Sequence, residues 1–130
     1  MGKHILFVGL GGFIGSVARY VISTSITKYF PLSFPLGTFV VNVSGCLVIG
    51  IVYGLSSRFG WMTQEWRIFL ATGICGGFTT FSAFAYESLR LIETSEYWTF
   101  AGYTILSLFF CVLAVFFGVG LSKLKVRDCL

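Results

Sequence analysis

A chain of 130 residues has room for one domain, and this one combines 56% hydrophobic residues with only 11% charged residues and a net charge of +4. Soluble domains carry charge at about a quarter of their positions, so the composition excludes a soluble protein. The basic residues stand near the ends of apolar segments, where lipid headgroups explain them better than nucleic acid does.

Four long apolar segments follow one another, and each is long enough to cross a bilayer as a helix. They predict an all-α membrane protein with a single domain over residues 1–130. The expected transmembrane helices cover about residues 5–27, 36–55, 68–92 and 97–121. Trp61 and Trp66 stand between the second and third segments, where tryptophan typically anchors a protein at the membrane interface.

The first span contains closely spaced glycines and one arginine. Gly11 and Gly15 are one helical turn apart and predict close packing against another helix. A dinucleotide-binding fingerprint is excluded because Ile14 stands where its third glycine would fall. Arg19 either extends towards the Lys28 end of the span or lines a water-filled vestibule that attracts anions.

The second span carries an amide within its apolar sequence. Asn42, with Thr38 one turn before it, requires a hydrogen-bonding partner if it is buried in lipid. That partner is either a neighbouring helix or, if Asn42 lines a pore, a passing ion.

The third span is the least regular part of the sequence. Gly76 and Gly77 weaken the helix, and the β-branched residues Thr79 and Thr80 follow. We therefore predict that the helix is broken at Gly76-Gly77. Carbonyl groups freed by such a break need a partner, and broken membrane helices often give them to a cation.

Aromatic residues continue the third span. Phe81 and Phe84 are three residues apart and project from one face, which Phe78 extends. The rings either pack against neighbouring helices or turn their positive edges towards a small anion. Further along, Glu87 and Arg90 have the spacing of an intrahelical ion pair.

The fourth span places Tyr103, Ser107 and Cys111 on one stripe, each one turn from the next. The stripe either bonds to other helices or continues a polar path. Three of the four cysteines lie in spans and form no CxxC or Cys/His set, which excludes a zinc site. One histidine, His4, and no nucleophile motif exclude most enzyme chemistry.

The basic residues outside the spans are unevenly distributed. With four spans, both termini share one side with six basic residues, against two on the other side, or three if Arg19 is included. The positive-inside rule then places both termini in the cytoplasm. The six are Lys3, Arg58, Arg67, Lys123, Lys125 and Arg127.

At this point the residues resemble a known family. Three segments, GGFIGSVARY at 11–20, GTFVVNV at 37–43 and GGFTTFSAF at 76–84, are similar to those of the bacterial Fluc (CrcB) fluoride channels. The resemblance covers essentially the whole chain. It implies an antiparallel, dual-topology homodimer in the bacterial inner membrane. Two pores per dimer would export cytoplasmic fluoride passively.

The resemblance also implies roles for individual residues. The aromatic pair Phe81 and Phe84 would line each pore, with polar contacts from Asn42, Thr38, Ser82, Tyr103 and Ser107. Arg19 and Glu87 would stand in the vestibules. The backbone carbonyls of Gly76 and Thr79, two from each subunit, would hold a structural Na⁺ on the dimer axis.

Two features depart from the family pattern. Cys111 occupies a position where a hydroxyl is typical of the polar track, and a thiol is a weaker donor. The six-to-three basic excess is larger than a dual-topology protein should tolerate. The main alternative is a small proton-coupled multidrug transporter, also a short four-span dimer. That class needs a carboxylate in the first span, which has Arg19 instead, and Glu87 is the one acid candidate.

Overall fold

The structure is a computed structural model that describes residues 1–58, 60 and 62–128, with the backbone alone for residues 124–128. Trp61, predicted as an interface anchor, and Cys129 lie outside the described residues, as do the side chains of Lys125 and Arg127.

The chain forms three long helices and one composite span. The long helices are α1, Gly2–Tyr29, α2, Leu36–Ser56, and α6, Tyr97–Asp128. The composite third span contains α3, Gln64–Arg67, a π-helix, Ile68–Cys75, then α4, Gly76–Phe78, and α5, Phe81–Glu93.

The four predicted spans are confirmed. Four helical segments are long and apolar enough to cross a membrane, namely Gly2–Tyr29, Leu36–Ser56, Gln64–Glu93 and Tyr97–Lys123. No strand occurs in the part of the chain that the structure describes. The outer surface is apolar, with the Phe13 and Phe116 side chains 71% and 73% exposed, which suits contact with lipid.

Helix α1 packs against the π-helix with the two backbones in contact. A Cβ atom at Gly11 would lie 2.6 Å from the carbonyl oxygen of Phe69 and 2.9 Å from the Cα of Gly73. A Cβ atom at Gly15 would overlap the carbonyl oxygen of Ile74. The prediction that these two glycines thin one helix face for close packing is confirmed.

Helices α2 and α6 cross with equally close backbones. A Cβ atom at Gly50 would overlap the carbonyl oxygen of Val115, and one at Gly118 would overlap that of Leu47. Towards the other end, the Phe39 ring contacts the Phe110 ring at a centroid distance of 6.1 Å. From Phe39 and Phe110, through Gly50 and Val115, to Gly54 and Ser122, the residue numbers rise together, so α2 and α6 run in the same direction.

The third span is broken, but not at the predicted residues. Gly76 is helical, with φ −63° and ψ −39°, whereas Thr79 and Thr80 are extended, with ψ 153° and 121°. Gly77 serves close packing instead, because a Cβ atom there would lie 2.6 Å from the carbonyl oxygen of Gly12. The prediction of a break at Gly76-Gly77 was therefore wrong by about one turn.

The threonines fix the position of the break. The Thr80 hydroxyl accepts a hydrogen bond from the Ala83 N–H at 3.1 Å and so caps the N-terminus of α5. The Thr79 hydroxyl donates back to the carbonyl oxygen of Cys75 at 2.9 Å, which closes the preceding helix.

We expect Gly15→Ala to lower the melting temperature of the detergent-purified protein, because the added methyl group overlaps the π-helix backbone. Overpacking of this kind costs about 1–3 kcal/mol. The matched control is Gly9→Ala in the same helix, where a Cβ atom meets no neighbour within 4 Å. Alanine there should raise stability slightly, by about 0.5–1 kcal/mol. Equal shifts for both variants would contradict the close-packing account.

Candidate functional site

The Asn42 side chain is joined to the break in the third span by two hydrogen bonds. Its Nδ2 donates to the carbonyl oxygen of Thr80 at 3.0 Å, and its Oδ1 accepts from the Thr80 N–H at 2.8 Å. An amide supplies one donor and one acceptor in the geometry of a neighbouring strand. Asn42 thus satisfies both the N–H and the carbonyl group of Thr80. The second N–H of the Asn42 amide is left for another partner.

Arg19 also contacts the broken segment. Its Nε donates to the carbonyl oxygen of Gly77 at 3.1 Å. This carbonyl comes just before the break, where the helical donors run out. Neither interpretation of Arg19 from the sequence included this contact. A guanidinium carries five N–H donors, so a vestibule role for the others stays a prediction.

Two further carbonyls near the break lose their usual donors. In a continuous helix the Thr80 N–H would bond to Gly76, and the Ala83 N–H would bond to Thr79. Here those two N–H groups go to the side chains of Asn42 and Thr80 instead. Gly76 is exposed and Thr79 is half-buried. Their carbonyl oxygens are the kind of ligand that a hard cation takes.

Side chains offer no comparable metal site. Among the residues that the structure describes, no three His, Cys, Asp or Glu side chains come close enough together to hold a metal ion.

A groove of about 230 Å³ runs beside the break. It brings together four of the predicted pore-lining residues: Phe81, Phe84, Asn42 and Ser107. The remaining lining residues are Thr79, Thr80, Cys46, Leu108 and Cys111. The groove lies between α2, the start of α5 and α6.

The aromatic pair forms one wall of the groove. The rings of Phe81 and Phe84 lie 5.5 Å apart with an interplanar angle of 35°. The Phe84 ring continues to the ring of Tyr103 at 5.0 Å. Phe84 is half-buried, whereas Phe81 is 76% exposed within the single chain.

A carboxylate lies at the end of this aromatic row. Glu87 accepts a hydrogen bond from the Thr38 hydroxyl at 2.6 Å on Oε1 and one from the fully buried Tyr103 hydroxyl at 2.8 Å on Oε2. The predicted ion pair between Glu87 and Arg90 does not form among the described residues. Hydroxyl donors on α2 and α6 satisfy both oxygens, so the carboxylate needs no cation.

A polar pocket opens next to Glu87. It is lined by three hydroxyl residues at the end of α1, together with Lys28, Thr38 and Glu87. The hydroxyl residues are Ser23, Thr24 and Thr27. Its hydroxyl groups and the Lys28 ammonium group are hydrogen-bond donors, and Glu87 is an acceptor.

The remaining predicted site residue, Ser82, lies at the edge. Its hydroxyl is 3.2 Å from that of Thr80 and is exposed. Cys46, Leu108 and Thr80 were not predicted to belong to the site. Cys46 follows Asn42 by one turn, and Thr80 precedes a helix as a capping residue does, so both carried a readable signal.

The groove offers neutral ligands to an ion. Hydroxyl groups, an amide, two thiols, a leucine and two phenylalanine rings line its wall, and among the described residues no lysine or arginine does. Donors and ring edges suit an anion that has lost part of its water. Fold and groove together define a small multi-span membrane protein with a polar and aromatic path along its broken helix.

Comparison with known proteins identifies the family. Residues 6–119 match the family model described as "CrcB-like protein, Camphor Resistance (CrcB)". The chain belongs to this CrcB-like family, which confirms the resemblance found in the sequence.

Similar proteins carry a shared name. A protein from Gloeothece citriformis named "Fluoride-specific ion channel FluC" is 46% identical over 120 residues, which are 92% of this chain and 97% of that protein. Proteins of the same name from Azobacteroides pseudotrichonymphae and Phocaeicola vulgatus are each 43% identical, over 95% and 93% of this chain and 98% and 99% of theirs.

We expect Asn42→Leu to destabilise the protein because it strands the N–H and carbonyl of Thr80. Each unsatisfied buried group costs about 1–3 kcal/mol. Asn42→Asp should also destabilise the protein, since it keeps an acceptor for the Thr80 N–H but sets a second acceptor against the Thr80 carbonyl. The matched control is Ser44→Ala on the same helix, whose hydroxyl bonds only to Val40 and Val41 of its own helix. Thermal unfolding in detergent measures all three, and equal stability of Asn42→Leu and the control would refute the assignment.

Proposed function

We propose that this protein is a fluoride channel of the bacterial inner membrane, through which fluoride leaves the cytoplasm passively. One observation carries the proposal. The aromatic pair and the neutral donors line one groove in a chain whose relatives are named fluoride-specific ion channels. The relatives are ion channels by name, which is consistent with the absence of an enzyme motif in the sequence.

The lining of the groove supports an account of permeation. Fluoride is small and strongly hydrated, so a pore must replace its water with donors at close range. The free N–H of Asn42, the Ser107 hydroxyl and the edges of Phe81 and Phe84 are such donors. Because none carries a full positive charge, the anion is stabilised without being trapped.

The exposed wall supports assembly with a second chain. Phe81 belongs to the aromatic pair yet is 76% exposed in the single chain, and Gly76 is also exposed. A second copy packed against this face would cover both and complete the pore. We infer an antiparallel homodimer with two pores, in which each chain inserts in either orientation. The unequal basic charge on the two sides is the main argument against equal insertion.

The freed carbonyls support a structural cation in that dimer. Gly76 and Thr79 have each lost their usual helical donor, and Gly76 is exposed in the single chain. Two carbonyls from each chain would give four oxygen ligands around one ion. Na⁺ accepts such carbonyl ligands at broken membrane helices. When bound, it would contribute charge that holds the two breaks together.

A proton-coupled multidrug transporter is not favoured. Its essential acid would have to be Glu87, since the first span has none. Both carboxylate oxygens of Glu87 already accept hydroxyl hydrogen bonds, so neither is without a partner in the pocket that Glu87 lines.

The central test is fluoride efflux from liposomes containing the purified protein, followed with a fluoride electrode. We expect rapid fluoride efflux and negligible chloride efflux. Phe81→Ile and Phe84→Ile should each slow fluoride efflux by about tenfold or more, which corresponds to a loss of about 1.4 kcal/mol of anion stabilisation. Phe109→Ile is the matched control, because Phe109 is 59% exposed and does not line the groove.

Three results would contradict the assignment. Similar rates for fluoride and chloride would defeat fluoride selectivity. Full activity in both pore variants would defeat the role of the aromatic pair. Efflux of a cationic dye driven by a pH gradient, without fluoride efflux, would instead identify a multidrug transporter.

The structural role of Na⁺ is tested by measuring how the dimer fraction depends on this ion. We expect the dimer to dissociate more readily when Na⁺ is replaced by N-methylglucamine, a cation too large for four converging carbonyls. Light scattering coupled to size exclusion in detergent reports the dimer fraction in each salt. A dimer fraction that is independent of Na⁺ would exclude a structural role for the ion, although fluoride efflux could persist.

A further inference from the structure

Helices α2 and α6 present matched stripes to each other. Thr38 and Tyr103 bond to the two oxygens of the same carboxylate, and the backbone at Gly50 touches the backbone at Val115. The difference in residue number is the same for both pairs. Both helices advance by about one turn every four residues. Residues of α2 and α6 that lie between these two pairs and differ by the same number therefore also stand side by side, and each such pair is called a level.

Two levels lie between the outer pairs, and both face the groove. One brings Asn42 and Ser107 together, and the next brings Cys46 and Cys111 together, with all four side chains lining the same cavity. Cys46 and Cys111 therefore stand at one level of the groove wall, one on each of the two helices. Both are half-buried free thiols, so neither is sealed within the protein interior.

The position of the two thiols is informative. Their level lies immediately beyond the polar residues Asn42 and Ser107 and before the backbone contact at Gly50. One turn further along, at Gly50, the backbones of α2 and α6 come into contact. Anything bound between the two sulfur atoms would therefore lie across the path.

Soft metal ions bind to such paired sulfur ligands. Thiolate sulfur selects soft or borderline ions over the hard ions that prefer oxygen. We propose that Cys46 and Cys111 form a two-thiolate binding site for a soft metal ion, and that the bound ion blocks the groove. The binding site stands on the geometry of the thiols, whereas the block of fluoride transport rests on the proposed function.

Metal binding by the two thiols involves proton release and no redox change. A divalent ion M²⁺ forms two metal–sulfur bonds, the two thiols release two protons to water, and no electron is transferred. The Ser107 hydroxyl, one turn away, and water are available to complete the coordination. Because protons compete with the metal, lowering the pH weakens binding.

The test uses Cd²⁺ as the probe and a background without the other two cysteines, Cys75→Ala with Cys129→Ala. Cys75 is buried and does not line the groove. The protein that keeps both Cys46 and Cys111 in this background, called the two-thiol protein, is compared with three variants. These are Cys46→Ala, Cys111→Ala and the variant that lacks both thiols. Each fluoride efflux rate is normalised to the rate of the same variant without Cd²⁺.

We expect Cd²⁺ to inhibit the protein with both Cys46 and Cys111 at concentrations at least tenfold lower than those that inhibit either single-thiol variant. Inhibition should weaken when the pH is lowered from 7.5 to 6 and should reverse with a chelator. Equal sensitivity of the two-thiol protein and the single-thiol variants would overturn the two-thiolate site. Inhibition of the variant lacking both thiols would place the effect elsewhere.

A second measurement is independent of transport. Cd²⁺ bound to thiolates gives an ultraviolet charge-transfer band, and the bound thiols should resist alkylation by a maleimide. We expect one Cd²⁺ per chain and protection of both cysteines only when both are present. Absence of the band in the two-thiol protein would overturn the proposal. The band together with no fluoride efflux in any variant would uphold the metal site and refute the proposed channel function.

Discussion

A backbone that leaves the helical state inside a membrane must find new hydrogen-bonding partners, and the structure follows from that requirement. No water is available in the hydrocarbon to bond the freed groups. At Thr80 the Asn42 side chain supplies both a donor and an acceptor, and at Gly77 the Arg19 side chain supplies a donor. Asn42 and Arg19 would each be costly to bury in lipid without a hydrogen-bonding partner. The backbone groups at the break are their partners, and the same hydrogen bonds stabilise the break.

This pairing places the elements of the groove. Asn42 connects α2 to the start of α5, so the first turn of α5 lies against α2, with Phe81 and Phe84 beside it. The α2–α6 backbone contact brings Ser107 into the lining of the same groove. The aromatic pair and the polar stripe belong to different helices. They face the same space because one amide and one set of glycine contacts fix the distances between those helices.

Much of this was readable in the sequence. The four spans followed from hydrophobic length alone, and the Gly11 and Gly15 contact followed from their spacing. The position of the break did not follow from the sequence, because glycine has two uses in membrane helices. Gly77 weakens a helix but also admits a neighbouring backbone, and only the position of Gly12 shows which use applies.

Other features depended on the fold itself. The π-helix at Ile68–Cys75 has no local marker in its sequence. The spacing of Glu87 and Arg90 fitted an ion pair, yet the partners of Glu87 come from two other helices that no spacing rule relates. The face shared by Phe81 and Phe84 was correctly predicted. That it opens onto a groove rather than a packed interior required the positions of α2 and α6.

The hydrogen bonds at Glu87 have a consequence for any anion that passes them. The Thr38 and Tyr103 hydroxyl hydrogens are already given to carboxylate oxygens, so an anion can use them only by taking them from Glu87. Beside Glu87, such an anion and the carboxylate would be two acceptors competing for the same hydroxyl protons. A compact, strongly accepting anion such as fluoride would compete better there than a large, diffuse halide. At this position, discrimination between anions would depend on acceptor strength as well as on size.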